Sequence, residues 1–236
     1  MSELAAKAAA QSRRERALIE RVLRMYRAGW FPMHDDDAGV VEWVQPHRRG
    51  TIPLDGGFTV SRSLRARVRS GRFEVRTDTA FGAVIEGCAA ASPGRERTWI
   101  DPTIAEVFGV LHKAGHAHSV EAWVRGADGG ETLVGGLYGL ALGGVFCGES
   151  MFSQPELGGT DASKVCLVHL VHHLRRRGFG MLDAQLTNEH LERFGCVEME
   201  QEAYVAAASR LVGEERTWLP FEAGVTVREV TESRSQ

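Results

Sequence analysis

Between residues 132 and 185 the chain reads strand, strand, helix, strand, and this run limits the fold more than any other feature of its 236 residues. The apolar pattern gives successive antiparallel strands over 132–142 and 145–147. Leu167, Leu170, Val171 and Leu174 then recur at helical spacing within 163–177, and residues 181–185 alternate again as a strand. The first strand carries Gly135, Gly136 and Gly139. Glycine weakens a strand, so its presence there marks a bulge or a ligand pressed against backbone.

The flanking sequence continues the mixture. A helix is expected over 2–28 and stopped by Gly29, followed by a polar loop at Asp35-Asp36-Asp37 and strand-like pieces at 40–44 and 51–54. Beyond Asp55-Gly56-Gly57 come a basic helix at 61–69, a strand at 73–76 and a helix at 81–90 closed by Ser92-Pro93-Gly94. A helix at 103–114 has Asp101 as its cap and Pro102 in its first turn. A strand at 118–124 turns through Asp128-Gly129-Gly130, and a strand–helix pair near 196–211 completes the pattern. Strands of mixed direction with helices packed on them argue α+β. The boundaries expected are a small N-terminal domain over 1–56, a larger domain over 57–225 and a disordered tail over 226–236.

Composition enters through what it excludes. Hydrophobic residues make up 43% and charged residues 25% of the chain, enough to bury a core without disulfides. Cys88, Cys147, Cys166 and Cys196 form no C-x-x-C, which suits reduced thiols in a cytosol. No secretory signal is recognisable. No apolar run approaches the roughly 20 residues that span a bilayer. A cytoplasmic protein without a membrane partner is expected. Charge is uneven: residues 1–76 hold 15 Lys or Arg against 9 Asp or Glu (+6), and residues 77–236 hold 13 against 22 (−9). A basic first third is either a solvated surface or a local contact for a phosphate backbone.

His112, His116 and His118 cluster, as do His169, His172 and His173, but neither follows a zinc-site spacing, and no metal is expected. The second cluster, beside Arg175-Arg176-Arg177, reads as a solvated or RNA-facing surface. Neither a G-x-S-x-G elbow nor a G-x-x-x-x-G-K-[ST] loop is present. Glu149 stands among Phe146, Cys147, Met151 and Phe152, either closing a strand at the surface or forming the polar group of an apolar pocket. Asp183 and Gln185 share one strand face, either as a polar edge or as a pair that orients an amine.

At these residues the sequence resembles the bacterial leucyl/phenylalanyl-tRNA–protein transferases. The resemblance is carried in order by Y-R-A-G-W-F-P-M (26–33), G-H-A-H-S-V-E (115–121), G-G-L-Y-G (135–139), F-C-G-E-S-M-F-S (146–153), A-S-K (162–164) and L-D-A-Q-L-T-N (182–188). It implies a GNAT-like acyltransferase domain with a mixed, mainly antiparallel sheet. It also implies transfer of Leu, Phe or, less well, Met from aminoacyl-tRNA to proteins with N-terminal Arg or Lys, marking them for degradation. By the same resemblance Asp183 and Gln185 activate the attacking amine. Glu149, Trp99 and Ser153 match or neighbour positions that hold the terminal adenosine and aminoacyl group. Leu137 and Phe146 match the pocket around the aminoacyl side chain, and Tyr138 and Phe108, the latter where relatives often show Tyr, complete the substrate-binding set. Arg62, Arg65, Arg67, Arg69 and Arg72, on or just after the basic helix, are expected on tRNA phosphates, with no DNA partner. No cofactor is expected, because an aminoacyl ester is already activated. Two departures stand out: Val44 occupies the place of a family aromatic, and the stretch 154–161 is longer than usual. The alternatives are an acyl-CoA N-acyltransferase, whose Q/R-x-x-G-x-G/A loop is not matched, a tRNA-dependent transferase with another amine acceptor, and a non-catalytic tRNA-binding module.

Overall fold

The computed structural model describes residues 3–35, 38–91 and 98–221. The turn at Ser92-Pro93-Gly94, two of the three aspartates at 35–37 and the expected tail lie outside them.

Helix α1 (Glu3–Arg27) presents Val22, Leu23 and Tyr26 to the core and ends where Gly29 takes φ 81°, the left-handed stop that glycine reaches without a Cβ penalty. A hairpin of β1 (Phe31–Asp35) and β2 (Val40–Val44) follows. Strand β3 (Arg48–Ile52) leads to α2 (Arg62–Arg69), whose first turn is capped by Ser61 Oγ accepting the Leu64 N–H at 3.2 Å. Then come β4 (Glu74–Thr77), α3 (Phe81–Ala89) and α4 (Pro102–Lys113), the last capped by Asp101 Oδ1 accepting the Ile104 N–H at 2.7 Å. The centre is β5 (Ala117–Arg125), β6 (Glu131–Leu142) and β7 (Val145–Ser153), followed by α5 (Ala162–Arg176) and β8 (Met181–Gln185). A short α6 (Glu189–Glu192), β9 (Val197–Glu200) and α7 (Gln201–Val212) close the order.

Seven strands form one sheet in the order β4-β5-β6-β7-β8-β3-β9. Every pair is antiparallel except β7–β8. Strand β3 precedes Asp55-Gly56-Gly57 in the chain yet is paired on both edges inside this sheet. Apolar clusters cover both faces. Helices α2 and α5 close over Leu137, Phe146 and Leu182 on one side. Helices α1, α3, α4 and α7 close over Tyr138, Leu140 and Cys147 on the other. Glu121, fully buried on β5, accepts the N–H groups of Thr79 and Ala80 at 2.9 and 2.8 Å and so satisfies donors at the start of α3.

One expectation fails here. The histidines of α5 are not a solvated or RNA-facing surface. The segment after α7 runs back across them, and Trp218 stacks on His118 with ring centroids 4.6 Å apart and meets His173 edge-on at 4.8 Å. His172 and His173 are buried, and burial pushes His169 down to about 4. In the first cluster, His118 Nδ1 lies 2.9 Å from Asp78 Oδ2, and His112 Nδ1 2.9 Å from the carbonyl oxygen of Ala117. Among the described residues no group of three or more His, Cys, Asp or Glu is placed to hold a metal ion. No described helix is long and apolar enough to cross a membrane.

Candidate active site

The site begins with a strand pair that separates. Strands β7 and β8 are joined side by side only from Val145↔Met181 to Cys147↔Asp183, although β7 runs on to Ser153 and β8 to Gln185. Beyond Cys147 they diverge, and the gap between them cannot be closed by main-chain hydrogen bonds. At the same point β7 carries a bulge: Tyr138 pairs with Ser150 and Gly139 with Gly148, leaving Glu149 as the extra residue. A bulge re-aims a side chain and resets the alternation that follows. Cys147 and Phe152, five residues apart, consequently face the same core cluster. Gly139 makes this possible, because a Cβ there would lie 2.3 Å from the carbonyl oxygen of Cys147.

The gap opens into a cavity of about 380 Å³. Its walls are mainly apolar, with Ile52, Leu137, Met151, Leu167 and Leu170 on one side and Phe31, Met33, Trp99 and Tyr138 on the other. Glu149, Ser150, Asp183, Gln185, Asn188 and His190 are among its polar groups. The Gln185 amide donates from Nε2 to Glu149 Oε1 at 3.0 Å. Burial, with a smaller contribution from the charge of Asp183, pushes the Glu149 carboxyl up to about 8. Burial, with the negative charge of Glu149, also raises the Tyr26 phenol well above its ordinary range. Cys147 is no nucleophile in this setting: burial, then the charges of Asp183 and Glu149, push its thiol well above the usual thiol range.

Asp183 is fully buried at the cavity wall and belongs to a different network from the Gln185 amide. Arg49 donates to it in a fork, Nε to Oδ1 at 2.8 Å and Nη2 to Oδ2 at 2.7 Å. Tyr204 Oη adds a third bond to Oδ2 at 2.8 Å, and the backbone N–H of Gln185 a fourth to Oδ1 at 2.9 Å. Asp183 therefore meets only the backbone N–H of Gln185, whose side-chain nitrogen contacts Glu149 instead. Sequence reasoning missed Arg49, Tyr204 and the buried phenol of Tyr26 near Glu149. Arg49 and Asp183 stand 134 positions apart, and nothing local in either segment announces the pair. Tyr26 lay inside a recognised block without a chemical signal of its own.

The structure gathers Trp99, Leu137, Tyr138, Glu149, Asp183 and Gln185 at one cavity. Three other expected residues lie elsewhere. Phe146 pairs with Leu182 before the strands part, so no cleft exists at its position, and it stacks on Trp218 at 5.3 Å. Phe108 packs edge-on against Tyr138 at 5.1 Å and lines a separate 200 Å³ cavity with Trp43 and Val107. Ser153 Oγ donates to Ser163 Oγ and accepts the Ser163 N–H, both at 2.9 Å, tying the end of β7 to α5. Of the five arginines, Arg62, Arg65 and Arg69 share a face of α2 and line one open groove. Arg67 turns toward Asp161 at 3.9 Å, and Arg72 Nε donates to the carbonyl oxygen of Gly158 at 3.2 Å.

A mixed sheet whose only parallel pair splays to form a lined cleft defines a protein of GNAT-like acyltransferase fold. The solved structure of FemX shares that fold at a TM-score of 0.54 with 12% sequence identity, over 73% of this chain and 63% of FemX. The family is settled by sequence: residues 51–209 match the leucyl/phenylalanyl-tRNA protein transferase model and residues 17–47 the model of that family's N-terminal domain. A leucyl/phenylalanyl-tRNA–protein transferase of Chlorobaculum parvum is 48% identical over 187 residues, covering 79% of this chain and 91% of that relative. The chain belongs to the leucyl/phenylalanyl-tRNA protein transferase family, and with it to the tRNA-dependent aminoacyltransferases.

Proposed function

We propose that this protein transfers Leu or Phe, and Met less readily, from aminoacyl-tRNA to the N-terminal amine of proteins beginning with Arg or Lys, marking them in the cytosol for degradation. The observation that carries the reading is the cavity between the parted strands. It offers an apolar volume for one side chain and a Glu149–Gln185 pair at its polar wall. The α2 groove lined by Arg62, Arg65 and Arg69 supplies the positive surface that a tRNA acceptor stem requires.

The reaction is ester aminolysis. The acceptor amine attacks the ester carbonyl carbon, a C–N bond forms, the C–O bond to the terminal ribose breaks, and the ribose hydroxyl leaves with a proton. The ester is activated beforehand, so the protein's task is to position both substrates and manage one proton. Gln185 cannot be a strong base, since an amide is nearly non-basic. With its nitrogen spent on Glu149, its oxygen is the acceptor for an amine N–H. Glu149, shifted to about 8, exchanges a proton readily near neutral pH, and in its ionised form it stands beside the Gln185 amide to take the one the amine loses. Once ionised it also attracts the cationic side chain of the acceptor. The free α-amine, with a pKa of about 7.7–8.0, is partly neutral at cytosolic pH without further help.

The test is a donor and acceptor competition: the protein with radiolabelled Leu-tRNA or Leu-CoA, and peptides beginning with Arg, Lys, Ala or Asp. Label is expected on Arg and Lys peptides from Leu-tRNA alone. Transfer from Leu-CoA, or equal labelling of all four peptides, would overturn the reading.

A further inference from the structure

Gln185 sits at φ 56°, in the left-handed region, which a residue with a Cβ occupies only when its surroundings hold it there. The N–H of Leu186 reaches back across it to the carbonyl oxygen of Ala184 at 2.7 Å, closing a three-residue turn of the rare positive-φ form. Through this turn β8 stops being a strand and delivers the Gln185 amide to Glu149. The turn has a visible holder. Asp183 Oδ1 accepts the Gln185 N–H at 2.9 Å and is itself fixed by Arg49 and Tyr204.

The holder is built from four parts of the chain. Arg49, with no exposed surface, also donates from Nη1 to the carbonyl oxygen of Gly29 at 3.0 Å. Its guanidinium lies between the rings of Phe31 and Tyr204, 4.8 and 4.7 Å from their centroids. The residue after it, Gly50, stands opposite Gln185, where the β3–β8 register slips. A Cβ on Gly50 would lie 2.9 Å from the Thr187 nitrogen and 3.0 Å from the Leu186 carbonyl carbon. Strand β3 thus supplies both the cation that anchors Asp183 and the empty space into which the turn folds. Each Asp183 oxygen already accepts two donors, which fills the lone pairs a carboxylate has to offer. No capacity is left for a substrate amine.

We propose that Arg49 and Tyr204 are positioning residues for transfer: with Asp183 they form a buried clamp that holds Gln185 in its left-handed turn, and Asp183 acts through that clamp without touching substrate. The proposal rests on the aminoacyl-transfer reading of the site. It differs from a carboxylate that polarises the Gln185 amide directly, and the two make different demands on Tyr204. In the clamp, loss of the Tyr204 hydroxyl misplaces residue 185 while leaving both substrate surfaces intact.

Arg49→Lys and Asp183→Asn each leave a buried group badly paired and put the fold itself at risk. Tyr204→Phe removes one hydroxyl and carries the test. Single-turnover transfer from Leu-tRNA to an Arg peptide is measured for wild type, Tyr204→Phe, Gln185→Gly and the double variant, with crystal structures of wild type and Tyr204→Phe. Tyr204→Phe is expected to lower the transfer rate about tenfold with the KM of both substrates within about twofold. In the Gln185→Gly background, where glycine needs no holding, the same change is expected to cost less than about twofold. Equal losses in the two backgrounds would mean a purely structural role and overturn the clamp, as would an unchanged turn at Gln185 in the Tyr204→Phe crystal. A wild-type protein that fails to use Leu-tRNA would refute the transfer reading instead. The geometry of residue 185 in the two crystals would then decide for or against the clamp on its own.

Discussion

Glu149 is the residue at which chemistry and stability meet. An ordinary glutamic acid has a pKa near 4.3, and in the folded protein burial holds this one at about 8. Between those values the folded chain carries a proton that the unfolded chain has lost. Stability from this group therefore falls as pH rises from about 4.5 to 8. His169 has the opposite sign. Burial lowers it to about 4, so the unfolded chain binds the extra proton between about 4 and 6.5, and stability rises with pH there. Denaturant unfolding at pH 5, 6.5 and 8.5 separates the two. Glu149→Gln is expected to remove the loss between pH 6.5 and 8.5 and to uncover, between 5 and 6.5, the His169 gain that the Glu149 loss offsets in the wild type. If the variant keeps the wild-type loss above pH 6.5, Glu149 is not the titrating group. The same substitution divides the pH dependence of transfer, because the acceptor's own amine also titrates near 8 and persists in the variant.

At the scale of elements, the arginines of α2 show how far a periodic pattern reaches. Positions 62, 65 and 69 fall on one helical face by spacing alone, and they line one groove. Arg67 and Arg72 share the composition but not the face, and they tie α2 to the 154–161 segment. Replacing Arg65 and Arg69 by Ala is expected to raise the KM for charged tRNA and to lower the slope of log K against log salt by about 2, close to one per lost phosphate contact. Arg67→Ala is expected to leave the slope nearly unchanged. A slope that ignores the first pair, or responds equally to Arg67, would remove α2 from the RNA surface. The long helices and most strands were legible in the sequence for the same reason: each has one apolar face of uniform period. Strand β7 was legible only to Cys147, because the bulge at Glu149 shifts the alternation by one residue and hides its second half. Strand β1 was missed because it is short, carries Pro32 and pairs only within the β1–β2 hairpin. The Arg49–Asp183 clamp was illegible because two polar residues far apart in the chain leave no periodic trace. Glu149, Asp183 and Gln185 could be singled out as polar residues in apolar strands, but their connections could not.

The cavity belongs to the whole molecule, since no single element encloses it. Phe31 comes from β1, Ile52 from β3, Leu137 from β6, Met151 from β7, Leu167 and Leu170 from α5, and Gln185 from β8. A guest that fills it touches both faces of the sheet through the gap between β7 and β8, so binding stabilises the assembled fold as a unit. A non-hydrolysable aminoacyl-adenosine, with an amide in place of the ester, provides the probe. At a concentration 100 times its Kd such a ligand adds about 2.7 kcal/mol to stability. For a chain of this size that corresponds to a thermal midpoint higher by about 5–10 °C, at about 2–4 °C per kcal/mol. The leucyl and phenylalanyl analogues are expected to give this shift, and the methionyl one a smaller shift. The valyl and isoleucyl analogues should give little, since branching at Cβ crowds the carbonyl. Differences among the apolar guests should stay modest, because one methylene is worth about 1–3 kcal/mol in such a pocket. An aspartyl analogue should give no shift, as Ile52, Leu137, Leu167 and Leu170 offer a charge no partner. Truncating Met151 to Ala, on the cavity wall, is expected to weaken the leucyl shift more than the phenylalanyl one. Phe146→Ala, in the core but outside the cavity wall, should lower every midpoint alike without changing their order. An aspartyl shift equal to the leucyl one, or reordering by Phe146→Ala, would mean that the side chain is selected elsewhere than in the gap between β7 and β8.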